Sequence, residues 1–183
     1  MTGPLRSDAR QNRARIIAAA RGLVTTREDL TLREVARQAG VGQGTLYRHF
    51  PTREALLSEV YRSEVDDLVS AAPELLAAHA PLEALRLWFE RIRQYAEVKR
   101  DVFAAVETQT GDELAGHSLG PIGEAVSLLL TAGQREGAIR GDVDAREVVV
   151  LISFLTRLDP AEYQQRAGHM LTIVLDGLRR QGA

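Results

Sequence analysis

The side chains best suited to chemistry fall between Thr31 and Arg53, in T-L-R-E-V-A-R-Q-A-G-V-G-Q-G-T-L-Y-R-H-F-P-T-R. They offer a carboxamide at Gln43, a hydroxyl at Thr45, a phenol at Tyr47, an imidazole at His49 and guanidinium groups at Arg33, Arg48 and Arg53. Most of these groups donate hydrogen bonds or carry positive charge, which suits recognition of a polyanion more than bond making. The charge distribution points the same way. Residues 1–50 hold nine Arg against four Asp/Glu, a net +5, and residues 51–183 hold 14 Lys/Arg against 21 Asp/Glu, a net −7. Only the first part is fitted to an anionic partner.

Bond-making sets are hard to find. The four histidines, His49, His79, His117 and His169, are scattered. Asp112, Glu113 and His117 form a partial metal set with no second cluster to complete it, and paired Glu-x-x-His motifs are absent. No glycine-rich phosphate loop follows a strand, and zero cysteines exclude disulfides and thiolate sites. No cofactor or metal is expected, and the chain does not read as an enzyme.

The elements that must position these groups are two short helices around a turn. Thr31 is placed to cap the first, with Glu34 three residues on as its capping-box partner. Val35, Ala36 and Ala39 give that helix an apolar face. Gly40 suits the left-handed residue that ends it, and Val41 plugs the turn. Gly42 then stands as N-cap of a second helix from Gln43 to Phe50, with Leu46 and Phe50 sharing the inward face. Helix, glycine turn and helix is the plan of a helix-turn-helix.

V-A-R-Q-A-G-V-G-Q-G-T-L-Y-R-H-F-P-T-R-E-A-L resembles the DNA-binding signature of the tetracycline-repressor (TetR) family of bacterial transcription factors. The close match covers roughly residues 10 to 60. It departs from the family at Gly42, where Ser or Thr is usual, and at Arg53, where Lys is common. The resemblance implies that the second helix enters a major groove. Gln43 would read bases, its amide suiting adenine; Gly44 would allow close approach; Thr45 would touch a thymine methyl or a phosphate. Arg33 would reach a base edge, Tyr47 and His49 would bind phosphates, and Thr31 and Arg53 would add backbone contacts from two helix starts. Arg48, projecting from the same helix, is suited to guanine.

The remaining chain reads as helical throughout, so the expected fold is all-α with about nine helices. A DNA-binding domain over residues 1–51 would precede a ligand-binding and dimerisation domain over 52–183. Residues 1–6 read as a loose arm. Ser7 or Asp8 is placed to cap a first helix that ends near Thr26. Its apolar stripe is Ile16, Ile17, Ala20, Leu23 and Val24, and Arg10, Arg13, Arg15 and Arg21 fall largely off it. Beside a helix-turn-helix, such an Arg-rich helix suits the DNA backbone. Thr52 starts a helix that keeps its period as far as Ala72, before Pro73. Pro81 opens the next, a shorter one covers 101–108, residues 109–120 read as a connection, and another helix runs from Pro121 to Glu136. Asp144 caps a helix from Ala145 to Leu158, and Asp159-Pro160-Ala161-Glu162 starts the last.

Aromatic residues gather in one stretch. Trp88, Phe89, Ile92, Tyr95, Phe103 and Val106, with Tyr61 and polar partners Glu107 and His117, form either plain core or, as the resemblance implies, a small-molecule effector site. The last two helices are too apolar to be covered within one chain, so a homodimer is expected through Val149, Ile152, Tyr163, Met170, Leu171, Val174 and Leu178. No run of about 18 apolar residues crosses a membrane and no signal-peptide core is present, so the expected location is cytoplasmic. The function implied is a regulator, by family analogy a repressor, that binds a palindromic DNA operator and is released by an effector. The alternative is a helical-bundle binding protein or enzyme using the aromatic residues, which leaves the basic first part without a role.

Overall fold

The computed structural model describes residues 4–24, 30–106 and 108–180. Among these are eight α-helices: α1 Pro4–Val24, α2 Leu32–Ala39, α3 Gln43–His49, α4 Arg53–Ala78, α5 Pro81–Ala105, α6 Thr108–Arg135, α7 Ala145–Ile152 and α8 Pro160–Leu178. A single 3-10 turn, Ser153–Thr156, follows α7. The described residues contain no β-strand, only a bridge between Ile139 and Arg179. The fold is all-α, as the periodicity predicts.

Several boundaries differ from the sequence expectation. Helix α1 starts at Pro4, ahead of the Ser7–Asp8 cap and inside the expected arm; the predicted end near Thr26 lies outside the described residues. Helix α4 runs through Pro73 to Ala78. Helix α5 is continuous where two helices were expected, because nothing in V-K-R-D breaks a helix. The expected connection over 109–120 is the first half of α6, which holds Pro121 in its interior. Its glycines and proline lower helix propensity by about 1 and 3 kcal/mol each, costs that packing offsets. Buried Leu114, Ser118, Ile122, Ala125 and Leu129 mark the packed side. Helix α7 stops at Ile152 rather than Leu158.

The chain divides into two compact units, residues 1–63 with 98–114, and residues 64–97 with 115–183. In the first, α1 packs on α2 and α3. Its core includes Ile16, Ala20, Val35, Leu46, Leu56 and Val60, all buried. Arg13 ties α1 to α4 through Glu59 at 2.8 Å and lies over the Phe50 ring at 5.2 Å. Arg21 donates to Ser63 Oγ at 3.2 Å. The segment 98–114 belongs to this unit, with Phe103 against Tyr61 at a ring separation of 5.4 Å.

In the second unit the Trp88 indole N–H donates to the Leu68 carbonyl at 2.9 Å, and Tyr163 Oη donates to the Arg93 carbonyl at 2.6 Å. Helix α6 ends at Arg135, and Gly137 turns the chain with a φ of 72°, the left-handed conformation glycine supplies. The chain then closes on the C-terminal end through Arg140 N–H to Leu178 O at 2.9 Å and Arg180 N–H to Ala138 O at 3.1 Å. Arg140 also forks onto Asp142, and these bonds hold the Asp142 carboxyl down at about 2. The reciprocal Asp144–Glu147 capping box starts α7. At α8, Asp159 accepts from Ala161 N–H, one residue short of the expected Glu162, with Pro160 in the first turn.

Candidate nucleic-acid interface

Thr31 caps α2, while the Glu34 carboxylate takes the Thr31 hydroxyl in place of the backbone N–H that a reciprocal capping box uses, and α3 ends at His49, one residue before the expected Phe50. Thr31 Oγ1 accepts from the Glu34 N–H at 3.3 Å, and its hydroxyl donates to Glu34 Oε2 at 2.9 Å. Gly40 ends α2 with φ 63° and ψ 37°, and Val41 N–H returns to Ala36 O at 3.0 Å. This 6→1 bond is the mark of a Schellman cap. Gly42 is extended at φ −67°, ψ 147° and gives α3 no side-chain cap. Leu46 and Phe50 are 0% and 3% exposed and fix which way α3 faces.

That anchoring turns a set of polar residues outward. Gln43, Gly44, Tyr47 and Arg48 are exposed and follow the i, i+1, i+4, i+5 pattern of one helix face. Tyr47, which from sequence alone can pack or bond, is 52% exposed. Thr45 and His49 flank this face, half-buried. Thr31 and Arg33 are exposed at the start of α2. An open groove lined by Arg33, Glu34, Ala36, Arg37, Val41 and Gln43 joins the outer side of α2 to the start of α3. Arg37 was missed from the sequence, although its i+4 spacing from Arg33 is the signal that places both on one side. A second open groove, lined by Arg10, Arg13, Ala14, Ile17, Ala18, Arg21 and Ser63, runs along α1. Arg53 is placed differently from the others. It is half-buried, with Nε donating to Leu30 O at 2.9 Å and Nη1 to Ala105 O at 3.0 Å.

The aromatic set separates. Trp88, Phe89, Ile92 and Tyr95 are buried in the second unit, where His117 is exposed. Tyr61 is buried in the first unit, with Phe103 and Val106 half-buried there. Glu107 lies outside the described residues. Lys99 lies over Phe103 at 5.3 Å, and burial pushes its ammonium pKa down.

The apolar residues of the terminal helices sort into two stripes. On α8, Tyr163, Ala167, Leu171, Leu175 and Leu178 are buried in the chain itself, whereas Met170 and Val174 are half-buried and Ile173 is exposed. On α7, Val148 and Ile152 are buried, Val149 is half-exposed, and Val150 and Leu151 are 63% and 51% exposed. Ile152, Tyr163, Leu171 and Leu178 are thus core residues here, and the exposed apolar residues are Val150, Leu151 and Ile173, none of them in the dimer set expected from the sequence.

Known proteins match both parts of the chain. Residues 16–60 match the bacterial regulatory proteins of the tetR family, and residues 80–180 match the C-terminal domain of SbtR-like transcriptional regulators. The chain belongs to the TetR family of transcriptional regulators. Among solved structures, the TetR regulator SCO0520 of Streptomyces coelicolor is 36% identical, with a TM-score of 0.80 over 93% of this chain and 99% of that one. A TetR regulatory protein of Mycobacterium vanbaalenii is 33% identical, with a TM-score of 0.78 over 96% and 99%. The HTH-type transcriptional repressor KstR2 of Rhodococcus jostii is 28% identical over 90% of this chain and 87% of its own. A family of transcriptional regulators leaves no ground for the enzyme reading. No described helix is long and apolar enough to cross a membrane.

Proposed function

We propose that this TetR-family regulator is a repressor that binds a palindromic operator as a homodimer and leaves it when a small-molecule effector binds. The exposed face of α3 carries the proposal: Gln43, Gly44, Tyr47 and Arg48 stand outward on a helix locked by Leu46 and Phe50. Gln43 and Arg48 read base edges, with Arg33 and Arg37 alongside; Tyr47, His49, Thr45 and Thr31 hold the sugar-phosphate backbone. Residues 1–51 act as the DNA-binding domain and 52–183 as the effector and dimerisation domain. The outward apolar stripes of α7 and α8 meet their copies across a two-fold axis. Repression is supported by the likeness to the repressor KstR2. An effector acts by binding the two states of the protein with different affinity.

Arg48→Ala tests this directly, because its side chain is exposed and its loss leaves the core intact. Binding to the operator weakens by about 1–3 kcal/mol, the range of one bidentate base contact, while helical circular dichroism is unchanged. Unaltered affinity in Arg48→Ala would remove α3 from the reading surface.

A further inference from the structure

Arg53 opens α4, where the family resemblance implies a contact to the DNA backbone. In this structure its guanidinium already holds two backbone carbonyls, Leu30 O at 2.9 Å and Ala105 O at 3.0 Å. Leu30 is the buried residue just before Thr31, the N-cap of α2. Ala105 is the last residue of the 25-residue helix α5. One side chain therefore fastens the start of the helix-turn-helix to the end of another helix, and all three residues lie in one compact unit.

Each end of the tie has a physical reason. The last four carbonyls of an α-helix have no intrahelical donor, and a cation there complements the negative end of the helix dipole. The Leu30 carbonyl belongs to the non-helical peptide that sets where α2 begins. A guanidinium serves both because Nε and Nη1 are separate donors in one rigid plane; an ammonium offers all its donors from a single atom. The same turn of α5 is braced by Phe103 packing on Tyr61 at 5.4 Å.

We infer that Arg53 is a positioning residue: it couples the last turn of α5 to the start of α2, so that a displacement of the α5 end reaches the DNA-reading helices. The inference rests on the proposed DNA-binding reading for its purpose, but its geometry is testable in the free protein.

Amide exchange without DNA is the first arm. Arg53→Met keeps the apolar stem and removes both bonds. Exchange at Glu34 and Val35 and in the last turn of α5 rises together by about tenfold, the scale of losing a hydrogen bond to a charged group. Amides at 84–96 stay unchanged, which a general loss of stability would not allow. Arg53→Lys, which keeps the charge, shows the same rise and carries the test if Arg53→Met does not fold. Phe103→Ala, which loosens the α5 end, speeds exchange at Glu34 and Val35 when Arg53 is present and adds nothing in the Arg53→Met background. The second arm is binding to a generic DNA duplex as salt is varied. Its log–log slope stays unchanged in Arg53→Met, whereas loss of a phosphate contact makes it shallower by about 0.9. Unchanged exchange at both ends, or that shallower slope with unchanged exchange, overturns the inference. If the wild-type chain binds no duplex, the DNA reading fails while the exchange arm still decides whether the tie exists.

Discussion

Single residues decide where the polar groups of this chain can work. Gln43, Tyr47 and Arg48 reach outward because Leu46, on the inward side of the same helix, and Phe50, the extended residue just after it, are buried. In the second unit, Gly133 plays a comparable role for packing. A Cβ at that position would lie 2.4 Å from Ile139 Cδ1 and 2.6 Å from Cγ1. Ile139 is 1% exposed, and its backbone is pinned by a bond to Gly133 O at 3.1 Å and by the bridge to Arg179. The neighbour cannot yield cheaply. Gly133→Ala therefore lowers stability by about 1–3 kcal/mol, as overpacking of a filled core does, and a urea midpoint at the wild-type value would show that the site has room.

At the scale of elements, legibility in the sequence followed the range of the interactions. The stretch from Thr31 to Phe50 was readable because its determinants are local: a capping hydroxyl, a left-handed Gly40, an N-cap at Gly42 and two apolar residues four apart. The outward face of α3 came with it. Long-range effects were not readable. Pro73 looks like the stop of one helix and Pro121 like the start of another, yet α4 and α6 continue through them because burial of neighbouring apolar residues outweighs a lost backbone bond. The membership of 98–114 in the same unit as the helix-turn-helix depends on contacts such as Tyr61–Phe103, 42 positions apart by their numbers. The two carbonyls that Arg53 holds were not readable either, because neither Leu30 nor Ala105 is its sequence neighbour. Glycines inside α6 remain a weakness of that helix. Gly116 is exposed, has a helical backbone and would meet nothing within 4 Å on gaining a Cβ. Gly116→Ala is expected to stabilise the protein by about 0.5–1 kcal/mol through helix propensity and a less flexible unfolded chain. A lowered thermal midpoint would mean that this turn of α6 needs glycine for another reason.

For the whole molecule, the question is what covers the outward stripes of the terminal helices. Periodicity showed that α7 and α8 are apolar but not which residues the chain itself buries, since on α8 the less buried apolar residues stand only one or two positions from the buried stripe. Val150, Leu151 and Ile173 are 63%, 51% and 58% exposed. Exposed large apolar side chains on the last two helices are the basis for the proposed dimer surface. Ile173→Glu places a charge on that surface without touching the buried stripe, so sedimentation at micromolar concentration is expected to give a dimer for the wild-type chain and a folded monomer for the variant. A dimer that survives the charge would locate the interface elsewhere.

The central claim is that two α3 faces, presented together, read a two-fold DNA site. Selection of bound duplexes from a random pool by the wild-type chain measures this most directly. The account predicts enrichment of an inverted repeat whose half-sites lie about one helical turn apart, roughly 34–36 Å between centres, and loss of that enrichment in Arg48→Ala. A pool that stays random, or that yields an unrepeated site bound equally well by Arg48→Ala, would contradict it.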